Sequence, residues 1–214
     1  MQNVGEHFNL TTFLEARKRT QASVRLAASN IRPGMNEAEA QAILDSVLQN
    51  NELNQRWHPP KFRIGTDTTK SFSERPDQNI RLKESDIFFI DIGPVYEDHE
   101  GDFGETFVIG EDEKLQQLAK SSKDIFQIVQ DMWRHTGLSG QSLYEMAKNE
   151  AKKFGLELST KMSGHRLAEF PHGKHHKGSL LELQETPKQH LWVMEILLKD
   201  PKLNLGSFYE DILL

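Results

Sequence analysis

Apolar and polar positions change period along this chain, and the changes mark out its elements. In "TTFLEARKRTQASVRLAASNI", residues 11–31, apolar side chains recur at helical spacing until "RPG" stops the run. A second helix is predicted over 36–49, "NEAEAQAILDSVLQ", with Asn36 as N-cap and Glu39 three residues on in a capping-box pattern. "HPPKFRIG" then reads as a polar loop. In "FFIDIGPVYEDHEGDFGETFVIG", residues 88–110, the period falls to two, and the stretch reads as two strands around a polar turn. The second half repeats this order. A long helix is predicted over 112–136, "GLSG" breaks it, and another resumes over 141–155 with Ser142 and Glu145 at capping-box spacing. Short extended runs follow in "LSTKMSGHRLAEF", "HLWVMEILL" and "GSFYEDILL".

Helix, turn, helix, strands thus occurs twice. The pattern predicts a single domain over 1–214 made of two halves, about 1–110 and 111–214, related by a pseudo-twofold axis. Strands of both halves would then converge on one central cleft.

Composition narrows the possible functions. A formal charge of −6 argues against binding to a nucleic-acid backbone, which needs clustered Lys and Arg. The start lacks a charged segment followed by an apolar one, and no later run approaches the roughly 18 apolar residues of a membrane helix. A soluble, cytoplasmic protein with no membrane and no nucleic-acid partner is expected. The absence of cysteine excludes disulfides, a Cys nucleophile and thiolate ligands, so any metal must be held by His, Asp and Glu.

The hairpin poses the chemical question, because Asp91 and Asp102 both stand among residues patterned for a core. Side chains alternate on a strand, so Ile87, Phe89 and Asp91 share one face, as do Asp102, Gly104 and Thr106 on the return. With the turn centred near Tyr96 and Glu97, Asp91 would lie across from Asp102. One of the two could be a solvent-facing turn residue, since Asp is common near turns. Buried together, two carboxylates need a shared proton or a cation. The symmetric Asp-Thr/Ser-Gly turns of a proton-sharing aspartic pair are missing. A cation needs more ligands, and the second half offers His165, Glu195 and Glu210, each a polar side chain in an apolar run.

Asp, Asp after a hairpin, Gly-His, then two late Glu resembles the metal-site order of the pita-bread metallohydrolases: methionine aminopeptidases, Xaa-Pro aminopeptidases, prolidases and creatinase. "IRPGMNEAEA" resembles that family's first helix–turn–helix junction, the 88–110 stretch its two-Asp hairpin and "GHRLAEFPH" its His-containing segment. The resemblance covers nearly the whole chain. It implies an α+β pita-bread fold, with helices packed outside a curved antiparallel sheet.

It also implies Asp91, Asp102, His165, Glu195 and Glu210 as ligands of two divalent ions. Asp102 and Glu210 would bridge the ions, Asp91 would bind one, and His165 and Glu195 the other. One imidazole among oxygens suits Mn, Co, Fe or Zn. The implied activity is that of a hydrolase acting through a metal-bridging hydroxide, an aminopeptidase whose partner is a peptide with a free N-terminus. His172 and His58 match substrate-contacting histidines of the family and join Glu195 as implied catalytic residues. His175 and His176 read as members of a solvated His-rich loop.

The chain departs from the family's pattern at Arg166, where a glycine is habitual, and at Ile196, where the run around the first late Glu usually continues with proline. The short "ILLKDPKLNLGSFY" requires a trimmed final hairpin. The length matches single-domain members of the family and leaves no room for the extra N-terminal domain of the prolidases. Two rival functions share the site: a creatinase-like hydrolase of a small C–N substrate, and a non-catalytic binding module.

Overall fold

The elements begin with α1 (Leu10–Ala28), where Asn9 accepts a hydrogen bond from the Thr12 N–H at 3.1 Å and so satisfies one of the helix's unpaired donors. The computed structural model describes residues 2–53, 55–77, 79–168, 170–172 and 176–214. α1 ends at Ala28, three residues short of the predicted stop. α2 (Glu37–Asn50) starts with the expected reciprocal cap: Asn36 Oδ1 accepts from Glu39 N–H and Glu39 Oε2 accepts from Asn36 N–H, both at 2.9 Å.

Two short strands follow, β1 (Gln55–Arg56) and β2 (Lys61–Ile64). The second corrects the reading of "HPPKFRIG" as a loop. β2 pairs along β3 (Asp86–Ile92), and the polar Arg63 that disguised it is fully buried, donating to Glu37 and to the Ser71 and Glu74 carbonyls. β4 (Pro94–Tyr96) and β5 (His99–Glu100) carry the turn, and β6 (Phe103–Ile109) returns along β3.

The turn corrects a second expectation. Glu97 and Asp98 take φ of 45° and 58°, the left-handed conformation of two-residue hairpin turns, and they centre the turn one residue later than expected. Asp91 therefore pairs with Gly104, not Asp102. A one-residue shift of the centre moves the partner by two, so Asp102 keeps to the same face as Gly104 and lies diagonal to Asp91.

α3 (Glu113–Thr136) ends at Gly137, whose φ of 67° is left-handed. α4 (Gly140–Lys153) is capped by Ser139, which accepts from Ser142 N–H at 3.2 Å; Ser142, expected as the cap, is a residue inside the first turn. The remaining strands are β7 (Glu157–Ser159), β8 (His165–Arg166), β9 (Trp192–Asp200) and β10 (Leu205–Ile212), the last two joined by the short hairpin that the sequence required.

The main sheet is antiparallel in the order β2-β3-β6-β10-β9-β7, with β8 alongside β9, while β1, β4 and β5 form a small separate sheet. The three strands on one side of the β6–β10 seam come from the first half of the chain and the four on the other side from the second half. One face packs on the four helices, with Phe88, Ile90, Ile92, Met194, Ile196 and Leu198 meeting Val24, Leu44, Phe126, Val129 and Leu143. Burying each such side chain contributes about 1.5–3 kcal/mol, so this layer holds the sheet and frees the opposite face for other chemistry. This is the curved antiparallel sheet with external helices that the sequence led us to expect. Among the described residues no helix is long and apolar enough to cross a membrane.

Candidate metal centre

The register aligns three acids in a single row. Asp91 on β3 faces Gly104 on β6, Gly104 faces Glu210 on β10, and Glu210 faces Glu195 on β9. All three side chains stand on the face turned away from the helices, next to a row of apolar residues that includes Phe89, Phe208 and Leu197. Asp102 joins them from two residues before Gly104, and His165 comes in from β8, which pairs with β9 at Val193. Glu210, Asp102 and Asp91 are 1%, 2% and 3% exposed, respectively, so water does little to screen them.

Asp102 is the hub. Its Oδ2 lies 3.0 Å from His165 Nε2, while its Oδ1 lies 3.8 Å from His58 Nε2. His58 Nε2 is also 3.8 Å from Asp91 Oδ1, and His165 Nε2 is 3.8 Å from Glu210 Oε1. Two triads result, His58–Asp91–Asp102 and Asp102–His165–Glu210, each with ligand atoms within 4.8 Å of one another. Asp102 belongs to both. Glu195 lines the same cavity but falls outside both triads, and its Oε2 accepts the Gly164 N–H at 2.6 Å. Gly164 has φ of 68°, and a Cβ there would come within 2.3 Å of the Val193 carbonyl, so only glycine presents this donor. Tyr144 Oη fixes the backbone of Glu195, donating to its carbonyl at 3.1 Å and accepting from its N–H at 3.2 Å.

The electrostatics are those of too many acids for the protein's own cations. Burial, reinforced by the charges of Asp102 and Glu195, pushes Asp91 up to about 7 against the pull of His58. Burial likewise raises Glu210 well above the carboxylate range and raises Glu195. Asp102 is buried too, yet His165 and His58 outweigh desolvation and hold it below its ordinary value. Burial opposes the charge on His58, but Asp102 and Asp91 push it up to about 10. Asp102 Oδ1 and Glu210 Oε2 are buried without a hydrogen-bond partner among the described residues. Orphaned carboxylate oxygens beside an imidazole form a donor set that fits a divalent transition ion.

The five expected ligands and both expected histidines line one cavity of about 390 Å³. His172 stacks on His165 with ring centroids 4.4 Å apart, and the Trp57 ring lies tilted 4.6 Å from it. Trp57 and Phe72 stand half-exposed at the mouth. His176 is packed edge-on against Trp192 and is not the freely solvated residue expected; His175 lies outside the described residues. Arg166 does not alter the cavity wall. It is buried, and its Nη2 donates to the Asn3 carbonyl at 2.6 Å.

Sequence reasoning missed Glu100. It is fully buried, and its Oε2 meets His172 Nδ1 at 2.8 Å. The signal was available, since Glu100, Asp102 and Gly104 lie two apart and period-two alternation puts them on one face.

Residues 12–197 match the family model described as metallopeptidase family M24. No curated protein matches the chain. Among solved structures, the chain is similar to methionine aminopeptidase from Thermotoga maritima, with a TM-score of 0.78, 13% identity, and coverage of 99% of this chain and 94% of that one. X-Pro aminopeptidase from the same organism gives a TM-score of 0.74 at 16% identity over 96% of this chain and 59% of that one. Prolidase from Pyrococcus furiosus gives 0.71 at 19% identity over 98% and 61%. The chain thus spans only part of the latter two. At these identities the likeness carries the fold, which is the pita-bread fold, and leaves the substrate to be argued from the site.

Proposed function

The chain belongs to metallopeptidase family M24, and from that premise we propose that its single domain, with halves 1–110 and 111–214, is an aminopeptidase that removes one residue from the free N-terminus of a peptide. The observation that carries this reading is the convergence of Asp91, Asp102, His165, Glu195 and Glu210 on one cavity, with buried carboxylate oxygens that no hydrogen bond among the described residues satisfies. The proposed cofactor is a pair of divalent ions, Mn, Co, Fe or Zn, which these five residues would hold. When bound, they supply an acidified water and a Lewis acid for the scissile carbonyl. Four carboxylates bring about four negative charges into the cavity, which two dications balance.

The protein's own groups do the rest. Glu195, braced by Gly164 and Tyr144, accepts the proton released from the attacking water and passes it to the leaving amine. His172 donates to the charge that develops on the carbonyl oxygen. His58, beside Asp91 and Asp102, orients the substrate backbone. Trp57 and Phe72 wall the mouth and keep bulk water out.

At about 390 Å³ the cavity is at the small end of ligand pockets, which run about 300–1,000 Å³, so it accommodates the end of a chain and not its middle. Holding the terminus there fixes which bond is cut and turns binding into orientation. With Mn²⁺ or Co²⁺ supplied, unblocked peptides of three or more residues lose a single N-terminal residue, and their N-acetylated twins are untouched. Mass spectrometry of the products decides the matter; internal cleavage, or equal cutting of the blocked peptide, sinks the reading.

A further inference from the structure

The pairing of Glu100 with His172 has no part in the ligand set, yet it buries the acid completely. Glu100 is 0% exposed, and its Oε2 sits 2.8 Å from His172 Nδ1 across 72 positions of sequence. Its other oxygen, Oε1, has no hydrogen-bond partner among the described residues. A Cβ on Gly93 would fall 2.5 Å from Glu100 Oε1 and 3.3 Å from Asp102 Oδ1, so the backbone is kept bare where these two acids approach. A buried acid with one partner costs several kcal/mol, and an apolar side chain would fill the same volume without that cost. Packing alone does not account for Glu100.

We propose that Glu100 is a positioning residue for His172: it engages Nδ1, fixes the ring's tautomer and plane, and so commits Nε2 to the cavity that His172 lines. The inference rests on the reading of His172 as the donor to the substrate carbonyl. An imidazole has two nitrogens, and which one serves the reaction is set by the bond the other makes. The ring already packs on His165 and Trp57 at 4.4 and 4.6 Å, which restrains its plane but not which way round it sits, since a flip about Cβ–Cγ exchanges Nδ1 with Cδ2 and Nε2 with Cε1. Glu100 removes that ambiguity. β5, which carries Glu100, pairs with β4 at Val95 in the small sheet, so the carboxylate has a rigid mount independent of the loop that carries His172.

The test compares E100A, E100Q, H172A and the E100A/H172A double variant by bound metal per chain, by kcat and KM on an unblocked peptide, and by long-range proton–nitrogen NMR of the His172 ring. E100A is expected to keep its metal, lose about 10²-fold in kcat at little-changed KM, and shift the His172 ring-nitrogen signals, with E100Q recovering part of both. The double variant should be no slower than H172A, because Glu100 acts through His172. Metal loss in E100A, losses that multiply in the double variant, or unchanged His172 signals would each overturn the proposal. If the wild-type protein cuts no peptide, the ring spectra still decide. A shift in E100A then sustains the positioning role while the aminopeptidase reading falls, and no shift removes it.

Discussion

Glu210 and Asp211 are neighbours on β10, almost equally buried at 1% and 3% exposed, and they point to opposite faces of the sheet. Asp211, on the helix side, is saturated. Arg17 from α1 grips both its oxygens at 2.6 Å, Gln21 donates at 3.0 Å, the Ile212 N–H at 2.8 Å, and Tyr209 at 3.4 Å. Glu210, on the cavity side, has one imidazole nitrogen 3.8 Å from Oε1 and, among the described residues, no hydrogen bond on Oε2. Burying either charge carries the same desolvation cost. Asp211 has a cation of its own in Arg17, whereas Glu210 has, among the described residues, only His165, at 3.8 Å and closer to Asp102. That difference separates a structural acid from one kept for an external cation, although burial alone makes them look alike.

The largest effect expected from breaking this comparison is at Glu210. E210Q should weaken divalent-metal binding by at least about 10²-fold and remove peptidase activity with it, because the amide is neutral and a poor ligand. In the metal-free protein the same change should leave thermal stability level or raise it, since it removes an acid that burial forces to hold a proton the unfolded chain has given up. Calorimetric metal titration beside thermal melts reads both. A metal-free E210Q that melts well below wild type would mean that Glu210 is a structural acid like its neighbour.

At Asp211 the signature should invert. D211N leaves Arg17 with a neutral partner; losing one member of a buried ion pair costs about 3–5 kcal/mol, and because Arg17 is itself 21% exposed the expected loss is nearer about 2 kcal/mol. Metal content should stay at the wild-type value. Chemical denaturation and elemental analysis of one preparation check the two halves of the claim, and metal loss in D211N would erase the distinction.

The sequence distinguished these neighbours only in part. Glu195 and Glu210 stood out as acids inside apolar runs, and Asp91 and Asp102 as acids inside an alternating hairpin, because a cost of burial is visible wherever the surrounding pattern demands burial. The partner of Asp211 was not visible. Arg17 lies 194 positions away on a helix, and its spacing is that of any exposed basic residue. Local chemistry hid the rest. Glu97 and Asp98 both took the left-handed conformation and moved the hairpin register by two, and Ser139, not Ser142, had the geometry to cap α4. β2 was masked because Arg63 reads as polar in sequence while the fold buries it on carbonyls that come from the 71–74 segment. Glu100 was hidden by its place beside a turn, where an acid usually needs no explanation.

The smallest expected effect is in how stability follows pH when metal is withheld. An acid whose pKa rises on folding keeps a proton that the unfolded chain has lost, so stability falls as pH climbs from the unfolded value to the folded one. Asp91, raised to about 7, contributes such a fall up to that pH, and Glu210, raised well above its usual range, contributes in the same direction. His58, raised to about 10 from an ordinary 6.5, gives stability that is fully present below 6.5 and lost as pH rises through 10. His172 opposes them, being lowered to about 4 by burial first and then by the charge of His165; its contribution grows with pH but is complete by 6.5. Above that point nothing from His172 opposes the others. The metal-free protein should therefore lose melting temperature steadily between pH 6.5 and about 9, and saturating Mn²⁺ should flatten the slope by taking the place of the protons. E210Q should remove more of the metal-free slope than D211N does, because Glu210 keeps its proton for want of a cation while Asp211 has Arg17. Differential scanning calorimetry across that range reads all three proteins, and a larger change in D211N would put the unpaired charge on the wrong face of β10.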